Sequence, residues 1–284
     1  MLPRIIRDSR LAAQRARYYL TRNLDEVTAI IVNYRTPDLT KGAVRSCLGE
    51  PEIAEVIVID NDSGDDSADI LTEEFRGQKV RVMESDANAG FGAANNKGIA
   101  KARTDYVFLL NSDAFVLEGA VGSLLSRLKS DDSVGLVGPE VVESDGRTQQ
   151  PLNYGPFPTL KTIFTRNQSV SDPLSPDWIS GVAMMGHRDF LLDLKGFDDE
   201  FFMYFEDVDL CRRIRAAGKK VVREPGAKIV HFGGQSLKSN FKRKKLFYAA
   251  QDRYLEITGA SPFGRSMVKV SRWPVYMVRG LMGR

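Results

Sequence analysis

From residue 27 the chain alternates short apolar runs, rich in β-branched residues, with longer stretches of helical period. The runs are VTAIIVN (27–33), AEVIVID (54–60), KVRVME (79–84), DYVFLL (105–110) and VGLVG (134–138). Between the first two, Thr36-Pro37 supplies an N-cap and an N1 proline for a helix reaching about Leu48. Further helices are predicted from Ser67 to Phe75, within Asn88 to Arg103, and from Leu117 to Lys129. Strands alternating with helices predict an α/β fold with a parallel, doubly wound sheet, whose ligands bind beyond the carboxyl ends of the strands.

After residue 139 the alternation fails. VVESDGRTQQ (141–150) reads as a hairpin, and the Pro-rich segment Pro151 to Pro176 as loop with little regular structure. The uncharged run WISGVAMMG, a helix broken by Gly196, the helix EDVDLCRRIRAAG and a strand pair around KKVVRE and AKIVHF complete this half. It reads as elaboration on the first half's sheet, not as an independent domain.

Polar residues gather where three predicted strands end: Asn33-Tyr34, Asp60-Asn61-Asp62 and Asn111-Ser112-Asp113. Each set alone is ordinary turn chemistry. In a parallel sheet all three share one rim, and Asp113 then needs a partner, because a carboxylate at the edge of an apolar core costs free energy unless something pairs with it.

Gly90-Phe91-Gly92-Ala93-Ala94-Asn95 lacks the third glycine of a dinucleotide fingerprint and follows the third strand, not the first, which argues against a nicotinamide or flavin site. Its glycines allow close backbone approach to a ligand, and Asn88, Asn95 and Asn96 offer amide hydrogen bonds.

In FFMYFEDVDL (201–210), Glu206, Asp207 and Asp209 begin a helix, where the dipole favours carboxylates. The aromatic residues before them imply shelter, hence raised basicity and a candidate general base. His231 ends an apolar strand beside two glycines and can join Asp113 on a divalent metal, a mixed N/O set that suits Mn²⁺ and tolerates Mg²⁺. His187, in the polar stretch HRDF, reads as structural.

Composition narrows the class without choosing it. The 284 residues are 43% hydrophobic and 27% charged, with no low-complexity tract. Cys47 and Cys211 match no metal or disulfide spacing and read as reduced thiols of a cytoplasmic protein. No run of roughly 18 apolar residues and no signal-peptide h-region is visible, so neither secretion nor a membrane span is expected. The net charge of +3 hides an uneven distribution: residues 238 to 284 carry eleven Lys or Arg against Asp252 and Glu256. The N-terminal 24 residues carry six Arg against Asp8.

Taken in order, IIVNYR, VIVIDNDSGD, NAGFGAANNKGI, LLNSDA, GFDDEFFMYFEDVDLCRR and HFGG resemble the family 2 glycosyltransferases of GT-A fold, nearest to the rhamnosyltransferase-like branch. The likeness covers about residues 26 to 236. It implies a GT-A-type single domain with a mostly parallel Rossmann-like sheet flanked by helices, a basic N-terminal extension (1–25) and a basic helical C-terminal extension (237–284). Asn33, Asp60 and Asn61 then match positions that hold the base and ribose of a nucleotide-sugar. Tyr34, Asn88, Gly90, Asn95, Asn96 and Ser112 fall among the expected donor-binding residues. Asn111-Ser112-Asp113 matches the D-x-D metal motif, with Asn111 standing where an acid is commoner. Asp207 matches the general base, beside Glu206, and His231 a further metal contact.

The activity implied is an inverting, metal-dependent transfer from a nucleotide-sugar, dTDP-rhamnose first and a UDP-hexose second. The acceptor is expected to be a glycan or lipid-linked saccharide in cell-surface polysaccharide synthesis. The C-terminal FKRKK (241–245) and SRWPVYMVRGLMGR mix basic with aromatic and apolar residues, suiting an anionic membrane at the inner face of the cell. Two other classes remain. A nucleotidyltransferase would want a basic, Gly-rich triphosphate loop near the first strand, where VNYRTPDLT offers only Arg35 and Lys41. A nucleic-acid-binding module would use the basic ends, but no such motif is visible and no nucleic acid is expected.

Overall fold

The computed structural model describes residues 26–149, 153–165, 169–233 and 240–272. The expected N-terminal extension (1–25) and the tail after Arg272 lie outside them.

β1 (Val27–Asn33), β2 (Ile53–Asp60), β3 (Val80–Glu84) and β4 (Tyr106–Asn111) form the parallel half of an eight-stranded sheet. α1 (Pro37–Leu48), α2 (Ser67–Glu74) and α3 (Phe91–Lys101) make the crossovers. β5 (Ala114–Val116), α4 (Ala120–Lys129) and β6 (Val134–Val142) follow. The chain then passes through β7 (Tyr154–Gly155), α5 (Leu160–Thr165), β8 (Trp178–Ile179), β9 (Ala183–His187) and α6 (Arg188–Asp193) to α7 (Glu206–Ala216). β10 (Lys220–His231), α8 (Asn240–Ile257) and α9 (Pro262–Ser271) close the order.

Across the sheet the strands run β3-β2-β1-β4-β9-β6-β10-β5, with β9 and β5 antiparallel to their neighbours. The second half therefore extends the first half's sheet, since β9 inserts between β4 and β6. Helices cover both faces: Val44, Cys47, Leu124 and Leu128 pack on one side of the strands, and Ile99, Leu210 and Ile214 on the other. Cys47 and Cys211 are buried free thiols.

Two local expectations are corrected and one element is added. The strand pair after α7 is one strand, β10, whose register with β6 slips between Glu224 and Lys228, so Pro225-Gly226-Ala227 bulge out while pairing resumes beyond them. Proline lacks the N–H that the ladder needs, which confines it to such a bulge. The Pro-rich segment contains α5, which starts on a reciprocal cap: Thr159 N donates to Thr162 Oγ1 (2.8 Å) and Thr162 N to Thr159 Oγ1 (3.1 Å). Ala114–Val116, too short to carry a pattern, is a strand because it pairs with Ile229–His231.

Candidate active site

Strand register assembles the first part of the site. Asn33 pairs with Asp60 across β1 and β2, and Val32 with Asn111 across β1 and β4, so the three polar strand ends share one rim. They border a cavity of about 980 Å³. Tyr34, Asn61, Asn88, Gly90, Asn111 and Ser112 line it, as do Asp113, His231, Glu206 and Asp207.

Four expected donor-binding residues sit behind that wall instead. Asn33 is fully buried: its amide donates to Asp60 Oδ2 (2.6 Å) and Ser63 Oγ (3.2 Å), and its oxygen accepts from Thr40 Oγ1 (2.8 Å). Asp60 also accepts from Ser63 N (2.9 Å) and Ser63 Oγ (2.7 Å). These two clamp the loops that carry Tyr34 and Asn61, because a buried polar side chain is stable only with its hydrogen bonds made. Asn95 donates to Phe91 O (3.0 Å) within its own helix. Asn96 is spent on Phe197 O (2.9 Å), Phe197 N (2.8 Å) and Asp199 Oδ1 (2.8 Å), joining α3 to the segment before α7.

Gly90 lines the cavity and also lets backbone approach backbone. It has φ 94°, and a Cβ there would lie 2.2 Å from Phe202 O, the same oxygen that accepts from Phe91 N (3.1 Å). Asn88 caps this turn, accepting from Gly90 N (3.1 Å) and Asn61 Nδ2 (3.0 Å). The Asn61 amide oxygen, buried on the cavity wall, has no partner among the described residues and is open to a ligand donor.

The second centre joins distant residues through β5 and β10. His231 pairs with Ala114 in the antiparallel register, and Phe232 N donates to Asp113 O (3.0 Å), so Asp113 Oδ1 stands 3.3 Å from His231 Nε2. Gln149 fixes the ring. Its Nε2 donates to His231 O (3.0 Å), which turns its Oε1 toward His231 Nδ1 at 2.8 Å and assigns the ring N–H to Nδ1. Nε2 is thereby turned toward the Asp113 carboxylate, where an imidazole nitrogen and a carboxylate oxygen could share a cation. Among the described residues no three His, Cys, Asp or Glu side chains converge. The pair thus leaves most of a cation's coordination sphere for other oxygens, and its donor set fits a hard or borderline divalent ion.

The third centre opens α7. Tyr204 (φ 71°) and Phe205 (φ 66°) both lie in the left-handed region, which costs bulky residues about 1–3 kcal/mol each. Phe205 is held against Phe247 and Tyr254, ring centroids 5.3 Å away in both cases, and Tyr204 against Phe247 at 5.7 Å. α8 therefore shares a core with this turn and, through Arg243, Phe247 and Gln251, walls the cavity.

The turn delivers two unlike carboxylates. Asp207 accepts from Gly181 N (Oδ2, 2.9 Å) and Val208 N (Oδ1, 2.8 Å); burial raises its pKa and those N–H groups oppose the rise. Glu206 is 6% exposed, its Oε2 has no partner among the described residues, and burial, then the neighbouring Asp207 charge, pushes its pKa well above the usual carboxylate value. Asp209 faces away, paired with Arg212 (2.7 Å) and Arg213 (2.7 Å).

Sequence flagged the aromatic run before Glu206 as shelter but not the left-handed turn at 204–205, and it did not single out Gln149 or the α8 wall. The only signal of Gln149 is a Gln pair closing the hairpin, and of the α8 wall an aromatic residue in a basic helix.

A mostly parallel sheet flanked by helices, with polar strand ends on one rim of a cavity, is the architecture of the GT-A glycosyltransferases. Solved structures agree on the fold. The mannosyltransferase PcManGT from Pyrobaculum calidifontis, in complex with GDP-Man and Mn²⁺, superposes with TM-score 0.62 at 16% identity, covering 93% of this chain and 76% of that one. GalNAc-T7 with UDP, GalNAc and Mn²⁺ gives 0.61 at 16% identity, covering 76% of this chain and 45% of that one. The chain belongs to glycosyl transferase family 2, whose model matches residues 28–194, and is an enzyme of the hexosyltransferase type. Among curated relatives, the N-acetylglucosaminyl-diphospho-decaprenol L-rhamnosyltransferase of Mycobacterium tuberculosis is 27% identical over 240 residues, 75% of this chain and 78% of that protein. Succinoglycan biosynthesis protein ExoU of Rhizobium meliloti is 38% identical over 217 residues, 74% of this chain and 60% of that protein. No helix among the described residues is long and apolar enough to cross a membrane.

Proposed function

We propose that the chain is an inverting, divalent-cation-dependent glycosyltransferase that moves a sugar, rhamnose from dTDP-rhamnose first among candidates, to a lipid-linked saccharide or growing glycan at the inner face of the cell membrane. The observation that carries this reading is the meeting, in one cavity, of the Asp113–His231 pair with the Glu206–Asp207 pair. The donor assignment rests on the mycobacterial rhamnosyltransferase, whose name also specifies a decaprenol-linked substrate.

Asp113 and His231 would hold the cation, with Asn111 beside them, and Asn61 and Tyr34 would contact the nucleoside. A divalent ion bound there, Mn²⁺ or Mg²⁺, supplies the positive charge that a departing diphosphate needs without proton transfer. Asp207 takes the proton of the acceptor hydroxyl; the oxygen's electron pair forms the bond to the anomeric carbon, and the pair of the breaking C–O bond leaves with the diphosphate. One displacement inverts the centre and needs no carboxylate nucleophile, unlike glycosidases that form a covalent sugar intermediate. Glu206 divides the work differently: with Asp207 carrying the charge, Glu206 keeps its proton and donates a hydrogen bond to a sugar hydroxyl.

The test is a panel of nucleotide-sugars with the purified chain, following nucleoside diphosphate release with Mn²⁺, with Mg²⁺ and with chelator. Release from dTDP-rhamnose that requires the metal is expected; no turnover of any donor with any metal, over a range of acceptors, defeats the reading.

A further inference from the structure

α9 presents an apolar stripe that no other described residue covers. Phe263, Met267 and Val270, spaced four and three residues apart, fall on one face of the helix and are 76%, 48% and 68% exposed. The opposite face is packed: Gly264 sits on the Leu160 side chain of α5, and Val268 is buried. The helix is thus anchored on one side and bare on the other, which marks an interaction surface more strongly than scattered apolar residues do.

Charge selects the occupant. Lys161, next to the Leu160 anchor, is exposed, as are Lys242, Lys244 and Lys245 on α8 and Lys269 on α9 itself. The acids of α8 are already matched: Asp252 pairs with Arg272 (2.8 Å) and, more loosely, with Lys269 (3.8 Å), and Glu256 with Arg265 (2.7 Å). The chain's own remaining terminal segments suit this surface poorly, because residues 1–25 carry six Arg against Asp8 and Asp25, and residues 273–284 add Arg279 and Arg284 with no acid. A second copy would bring the same positive charge to itself. An apolar stripe set among lysines is complementary to an anionic lipid surface, which takes the apolar side chains at the acyl boundary and the cations at the headgroups.

We infer that α9, with the adjoining end of α5, is the face on which the enzyme rests on an anionic bilayer. This deepens the proposed function and rests on it for its purpose. α5 joins the two features: Leu160 seats α9, while Thr162 and Ile163 line the cavity. A lipid-borne acceptor entering beside the stripe would reach the cavity along α5 without leaving the membrane surface.

The experiment is co-sedimentation of the full chain with phosphatidylglycerol-containing and with pure phosphatidylcholine vesicles. The double variant Phe263→Ser/Val270→Ser and a charge variant, Lys161→Glu/Lys269→Glu, are run alongside. Wild type is expected on the anionic vesicles only, with binding that weakens as salt rises. Each variant should lose at least about tenfold in partitioning. All should release nucleoside diphosphate equally with a water-soluble acceptor. Because every substitution is on exposed positions, circular dichroism and equal turnover check that the fold is intact. A Met267→Cys chain carrying an environment-sensitive dye gives a second readout, a blue shift on anionic vesicles. Wild type that ignores anionic vesicles, variants that bind as well as wild type, or a wild-type dimer that the apolar variant dissolves would each overturn the inference. Vesicle binding without turnover of any donor would defeat the proposed function and leave the lipid face standing.

Discussion

Asp113 and His231 stand 3.3 Å apart, Oδ1 to Nε2, because a three-residue strand pairs with the end of β10. The imidazole's orientation is in turn set by Gln149, which holds it at Nδ1 and at the backbone carbonyl together. Gln149→Ala should therefore weaken Mn²⁺ binding by roughly 10–100-fold, the usual cost of removing a partner that orients a metal ligand. Calorimetric titration of the metal, without donor or turnover, measures it, and unchanged affinity would show that the hydrogen bonds to His231 do not matter to the ion.

Asp207→Asn should keep donor and metal binding while losing about 10²–10⁴ in turnover, because the amide still satisfies one N–H neighbour but cannot accept a proton. Donor affinity by calorimetry, read beside single-turnover rates, separates base from binding residue. Loss of donor affinity in the variant would move Asp207 out of the base role.

Glu206→Gln preserves a neutral donor at the orphaned oxygen's position, whereas Glu206→Ala does not. The Gln variant should retain most activity and the Ala variant should lose about 10-fold or more, the scale of a buried hydrogen bond left unmade. In wild type, activity should fall on the acid side at a pH above the ordinary carboxylate range, because Asp207 is raised by burial and must be ionised to act. On the alkaline side the Glu206→Gln enzyme should hold its rate to higher pH than wild type. Equal alkaline limbs would mean that Glu206 does not act as a proton-bearing donor.

The same group leaves a mark on stability. A carboxyl whose folded pKa is raised binds its proton more tightly in the native state. Its contribution is full below the unfolded value, about 4.3 for Glu, and is lost as pH rises through the folded one. Stability of wild type toward urea should therefore fall as pH rises above that point, and Glu206→Gln should flatten the slope. A slope unchanged by the substitution would place the titration elsewhere.

Gly90→Ala puts a Cβ against the Phe202 carbonyl and forces a side chain into a positive-φ position, at a cost of at least about 1–3 kcal/mol. A lower unfolding midpoint accompanied by weaker donor binding is expected, since the same turn carries Asn88 and, through it, Asn61. Thermal melting with calorimetry checks both.

The sequence made the alternating half of the fold legible because period and punctuation coincide there: Val27 to Asn33 reads as a strand and Thr36-Pro37 as a helix start without tertiary help. It also placed Asn33, Asp60 and Asn111 on one rim, since parallel strands align their ends. It did not separate wall from support. Asn33, Asp60 and Asn96 are the residue types that bind ligands, and whether such a side chain faces solvent or Ser63, Thr40 and Phe197 depends on loop conformation. β5 and the bulge in β10 were invisible for a related reason, because a three-residue strand exists only through its partner. The helix α5 hid inside prolines, where a reciprocal threonine cap outweighed composition.

Gly181-Val182, the dipeptide leading into β9, touches both halves of the chemistry. Gly181 N donates to Asp207 Oδ2 (2.9 Å), and Val182 O accepts from Asn111 N (2.9 Å). Because β9 is paired with β4 up to Ala183 and with β6 at Met185 and Gly186, the dipeptide leads out of a strand held on both sides and works as a rigid caliper. One jaw rests on Asp207, the proton acceptor of the proposed reaction, and the other on the loop that carries Asp113. Under that proposal the line of attack through the anomeric carbon would be gauged by backbone, leaving the surrounding side chains free to vary with the sugar they admit.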